Sequence, residues 1–203
     1  MKFFAEMAQI FEIDGVEFKV LETLERFEQK PEIVNSSLRV LAQIPPDSSD
    51  FVPLLFRLSQ RYSDAEFLRN LLNCLTAYSK KQPLTIHEVR EFQSLLQLGF
   101  ELCQTSVVKL LQQLETSFRP SREFSKFLID SKIVEGLVQA LDSPEARESS
   151  LMTLSSLRSE KYRKKLIEIG LLKKLTSLRD ERVSYETLVL CTVLTNFLTI
   201  SQD

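Results

Sequence analysis

Nucleophilic catalysis, metal binding and thiol chemistry each need particular side chains close together, and this chain of 203 residues carries few of them. Its one histidine is His87, and its three cysteines are Cys74, Cys103 and Cys191. A Ser–His–Asp or Cys–His arrangement needs a histidine beside the nucleophile. His87 lies in Thr85-Ile-His-Glu88, which reads as a helix start and puts the ring in an exposed first turn. The sequence has no Gly-rich phosphate loop, no Cys-x-x-Cys pair and no His-rich metal spacing. The adjacent acids Asp180-Glu181 fall in an expected loop and read as a cap. Cys74 and Cys191 sit on apolar helical stripes and read as core, as buried cysteines usually do. An odd number of widely spaced cysteines does not suit a disulfide framework, and reduced thiols fit a cytoplasmic protein, with the nucleus also open to it. The expectation is a non-enzyme with no catalytic residue, no cofactor and no metal. A helical enzyme using carboxylates is the competing reading.

Lys+Arg number 26 and Asp+Glu 28, a net charge of −2, so the basic excess of a general nucleic-acid binder is missing and no nucleic acid is expected. The longest apolar runs are far shorter than the roughly 20 residues of a membrane span.

Four glycines against 34 leucines disfavour hairpin-rich folds and favour helices. Val16, Val20, Leu24 and Phe27 recur at helical spacing, as do Leu68, Leu71, Leu72 and Leu75, and Val107, Leu110, Leu111 and Leu114. Strict alternation is nowhere sustained, so the fold class is all-α. Prolines Pro31, Pro45, Pro46, Pro83, Pro120 and Pro144 mark the joints, and Pro53 after Asp50 suits a first turn. The spacing predicts thirteen helices, from 3–12 to 182–200, with 64–80, 86–103, 104–118, 144–158 and 171–179 among them. Pro46, Pro83 and Pro120 are each 37 residues apart. Five apolar-x-x-apolar rungs follow: Leu41–Ile44, Leu75–Tyr78, Leu111–Leu114, Leu154–Leu157 and Leu194–Phe197, offset by 34, 36, 43 and 40 residues. A drifting period near 40 in helical sequence marks an α-solenoid of about five helical repeats, roughly 1–45, 46–82, 83–119, 120–158 and 159–203, forming one domain over 1–203, with a plain helical bundle as the alternative because uneven offsets also arise by chance. The rung leucines Leu41, Leu75, Leu111, Leu154 and Leu194 should be buried.

Residues 159–178, Ser-Glu-Lys-Tyr-Arg-Lys-Lys-Leu-Ile-Glu-Ile-Gly-Leu-Leu-Lys-Lys-Leu-Thr-Ser-Leu, resemble the armadillo-repeat junction. There a short first helix ends at a glycine, here Gly170, and turns into a second helix. Leu190-Cys-Thr-Val-Leu-Thr-Asn-Phe-Leu198 is similar to the family's third-helix ending, with Asn196 at its asparagine position. Ser150-Leu-Met-Thr-Leu-Ser-Ser-Leu157 is the same pattern with Ser156 there. The resemblance is carried by 121–203; before that it rests on helix order and spacing, with 86–103 fusing two helices and Gly99 away from any junction.

The resemblance implies an armadillo-like right-handed solenoid whose third helices line a concave groove, and a groove that holds extended segments of other proteins. Its outward positions would be Arg39 and Gln43, Asn73 and Ala77, Lys109 and Gln113, Met152 and Ser156, Thr192 and Asn196. Amides there could grip a partner's backbone, since each carries donors and acceptors. In importin-alpha, the nuclear-signal receptor of that family, each asparagine is paired with a tryptophan, and this chain has none. With Arg39 and Lys109 on the same strip, a basic import signal is a poor ligand and an acidic or mixed segment a better one. The expected function is therefore a non-catalytic scaffold or adaptor.

Residues 158–182 hold nine basic groups against four acidic ones, including Arg163-Lys164-Lys165. This cluster supports the alternative of an adaptor for acidic membrane or nucleic acid. The last helix carries Leu188, Val189, Leu190, Val193, Leu194, Phe197, Leu198 and Ile200 on more than one face, so a partner or self-association is expected there.

Overall fold

A computed structural model describes residues 15–118, 121–179, 181 and 183–200. Among the described residues the chain is all-helical, with thirteen helices and no strand. The expected helix over 3–12 lies outside the described residues. The chain forms two compact units, Met1–Ser117 and Phe118–Asp203.

The first unit contains α1 (Val16–Arg26), α2 (Pro31–Leu41), α3 (Phe51–Ser59), α4 (Ala65–Lys81), α5 (Ile86–Glu91), α6 (Gln93–Leu102) and α7 (Gln104–Ser117). Their starts have local causes. Pro31 opens α2 at its first position, where a missing N–H removes no helical bond. The Asp64 carboxylate accepts from the N–H groups of Glu66 and Phe67 at 3.1 and 3.0 Å and so begins α4. Thr85 and Glu88 form a capping box that begins α5. Pro53 lies in the first turn of α3, as its spacing from Asp50 suggests.

The single helix expected over 86–103 is in fact two. Phe92 breaks it with φ −83° and ψ 7°, ending α5 and starting α6. Its ring is buried and meets Phe56 edge-on at 5.8 Å, so burial of a large aromatic surface outweighs the continuity of one helix. Gly99, inside α6, serves close packing. A β-carbon there would stand 2.5 Å from Val107 Cγ2 and 3.4 Å from Leu72 Cδ1. At the centre of the unit α4 packs between α2 and α7.

The second unit contains α8 (Arg122–Asp130), α9 (Ile133–Ala140), α10 (Pro144–Ser155), α11 (Glu160–Glu168), α12 (Leu171–Arg179) and α13 (Tyr185–Thr199). Gly170 has φ 85° at the α11–α12 turn, and a β-carbon there would meet nothing within 4 Å, so its demand is on the backbone alone. Pro144 opens α10 as expected, but the Ser143 hydroxyl does not cap the helix. It donates instead to Glu145 at 2.9 Å. That bond, second to the Glu145 backbone N–H, holds the Glu145 carboxyl below its ordinary range. In this unit α13 packs on α10 and α12 and, near its C-terminal end, on α11.

All five rung leucines, Leu41, Leu75, Leu111, Leu154 and Leu194, have 0% of their surface exposed. Each buried leucine contributes about 1.5–3 kcal/mol by leaving water.

Candidate functional site

The outward faces of α2, α4 and α7 form the candidate strip of the first unit. Cys74 Sγ donates to Leu38 O, and Asn70 Nδ2 donates to Asn35 Oδ1 at 3.2 Å. These links are 36 and 35 residues long, so α2 and α4 run parallel and in register. Leu72 of α4 and Val107 of α7 converge on Gly99, and the charge of Arg69 reaches the Cys103 thiol at the start of α7. The two helices therefore pack against each other at this point. Asn73 and Ala77 lie on α4, and Lys109 and Gln113 lie on the helix packed against it.

In this unit the expected site residues all lie at the surface. Arg39, Gln43, Asn73 and Lys109 are exposed, while Ala77 and Gln113 are half-buried. The amides of Gln43, Asn73 and Gln113 have no hydrogen-bond partner among the described residues. Arg39 is different, because its guanidinium bonds Glu66 of α4 and its charge is already answered. The sequence reading missed Asn35, Glu66, Arg69 and Asn70. All share the helical face of residues it chose: Asn35 is one turn before Arg39, and Glu66, Arg69 and Asn70 lie one or two turns before Asn73.

The second unit offers less. Met152, Ser156 and Thr192 are half-buried and Asn196 is exposed. The Ser156 hydroxyl donates to Thr153 O at 2.7 Å and the Thr192 hydroxyl to Leu188 O at 2.9 Å. Both donors are therefore spent on their own helices. Asn196 keeps its amide free for a partner among the described residues. The exposed side of α13 also carries Tyr185, Leu188 and Val189, 76%, 40% and 41% exposed, beside Glu186, and Ile200 just past its end is 59% exposed.

The basic cluster is partly answered from within its unit. Arg163 pairs with Glu160 at 3.1 Å, Lys165 with Glu135 at 3.6 Å, and Lys174 with Asp142. Arg182 lies outside the described residues, as does Asp180. Glu181 pairs with Arg147 at 3.0 Å. His87 sits in the first turn of α5 with its side chain 84% exposed, 3.7 Å from Glu91. Cys74 and Cys191 are fully buried, and burial pushes both thiols up. Among the described residues no three His, Cys, Asp or Glu side chains gather where they could hold a metal ion. Nor, among them, is any helix long and apolar enough to cross a membrane.

Comparison with protein-family models, curated proteins and solved structures gives no match for this chain.

Proposed function

We propose that the protein is a non-catalytic scaffold of armadillo-like repeats that holds a segment of another protein along the outward faces of its third helices, in a cytoplasmic setting. The observation that carries this reading is the parallel, in-register pair α2 and α4, with α7 packed on the far side of α4. Asn73 of α4 and Gln113 of α7 carry free amides on helices anchored by the fully buried Leu75 and Leu111, and Gln43 carries a third just past the end of α2 and its buried Leu41. A buried rung fixes each helix, so the polar groups on the opposite side are held at a regular spacing. Each amide bond to a partner backbone contributes on the order of 1 kcal/mol. Four or five fall short of the roughly 8 kcal/mol of micromolar binding, so side-chain contacts supply the remainder.

Affinity capture followed by mass spectrometry supplies the partner, and variants of the strip then test the reading. Asn73→Ala combined with Gln113→Ala should weaken its binding measurably; unchanged affinity would sink the proposal. The adaptor alternative, through residues 158–182, is separated by salt. Binding to acidic lipid or nucleic acid should weaken steeply with salt and collapse when Lys164, Lys165, Lys173 and Lys174 become glutamate.

A further inference from the structure

We propose that the segment held by the first unit is acidic and that its carboxylates lie over the junction of α4 and α7, on Arg69, Lys80 and Lys109. This rests on the scaffold reading and adds the chemistry and location of the partner.

Three observations carry it. First, charge on the strip is unevenly answered. Arg39, between α2 and α4, is bonded to Glu66, whereas Arg69, Lys80 and Lys109 make no ion pair among the described residues. Second, Arg69 and Lys80 share one flank of α4. Asn70 reaches Asn35 and so marks the α2 side of α4. Leu72 packs toward Gly99 and Val107 and marks the opposite side; exposed Arg69 falls nearer to Leu72 than to Asn70 around the helix, and Lys80 follows three turns along the same line. Lys109 is exposed on α7, the helix packed against α4. Third, the cations are interleaved with the free amides of Asn73 and Gln113. A partner could therefore place its backbone on the amides and its acidic side chains on the cations. Extended chain advances about 3.3 Å per residue and the helices pack about 8–10 Å apart, so an acidic residue every two or three positions meets this pattern.

The test is fluorescence anisotropy on the full chain with labelled peptides of about twelve residues. One alternates Glu with Ser, one Gln with Ser and one Lys with Ser, and a single-stranded DNA oligonucleotide serves as competitor. The Glu peptide should bind best, and Arg69→Glu with Lys109→Glu should weaken it by about tenfold or more. Arg39→Glu should change it less than about twofold, because that charge is already engaged. All three positions are exposed, and circular dichroism checks that the variants remain folded. Equal binding of the Gln peptide would overturn the acidic assignment and leave the scaffold reading standing. An Arg39→Glu loss as large as that of the double variant would also overturn it, by moving the site to α2. Failure of every peptide to bind while the oligonucleotide does would overturn both readings.

Discussion

The helices α4 and α13 are alike inside and opposite outside. Each runs more than four turns, at 17 and 15 residues, and each buries a rung leucine completely, Leu75 and Leu194. Yet the outer face of α4 carries Glu66, Arg69, Asn73 and Lys80, while that of α13 carries Tyr185, Leu188 and Val189, with Ile200 just past its end. The inner face decides whether a helix is held, and the outer face is free to differ. Two units built on one internal rule thus offer two kinds of surface, a charged and amide-bearing one and an apolar one. Exposed apolar area gathered on one helix usually marks an interaction site, so α13 is where self-association is expected.

The strongest way to break this comparison is to attack the shared interior. Leu75→Ala and Leu194→Ala should each destabilise by about 2–5 kcal/mol, measured by urea denaturation. If only one of them is costly, the two rungs are not equivalent and the common rule fails.

The two glycines sharpen the comparison at a smaller scale. Gly99→Ala forces a methyl against Val107 and should cost about 1–3 kcal/mol. Gly170→Ala meets no neighbour, so only its positive φ is penalised, at about 1 kcal/mol. Adding Val107→Ala to each should relieve the first and leave the second unchanged.

Smaller again is the effect of pH on the buried thiols. Burial raises Cys74, Cys103 and Cys191 above the ordinary thiol range, at Cys103 against the charge of Arg69 and at Cys191 against Arg147 and Arg179. In the unfolded chain they ionise near pH 8.5. Above that pH the unfolded state releases protons that the folded state retains, so stability should fall as pH rises. Urea midpoints at pH 7 and 9.5 measure this, and changing all three to alanine should flatten the difference.

The least effect on folding is expected from Val189→Asp on α13, within about 0.5 kcal/mol, because the side chain faces outward. The same change should abolish concentration-dependent sedimentation of the wild-type chain. A wild type that stays monomeric at high concentration contradicts self-association.

Much of this was legible in the sequence where the cause is local. The helix expected over 171–179 is α12 without change, and that over 64–80 is α4 shifted by one residue, since apolar spacing and caps act within a few residues. The turn at Gly170 was legible for the same reason. The break at Phe92 was not, because the apolar spacing runs straight through it and its cause is a ring on α3. Nor was the role of Gly99, which depends on a neighbouring helix. Among the site residues, burial of the rungs followed from periodicity. The pairing of Arg39 with Glu66 joins residues 27 apart and is fixed only when α2 lies beside α4. The self-bonded hydroxyls of Ser156 and Thr192 show a different limit: position on a face does not reveal whether a donor is already used.

Photo-crosslinking addresses the central claim most directly. A photoreactive side chain placed at Asn73, on the outward face of α4, should crosslink to the captured partner, and one at Glu25 on exposed α1 should not. Crosslinks from Glu25 with none from Asn73 would contradict the account.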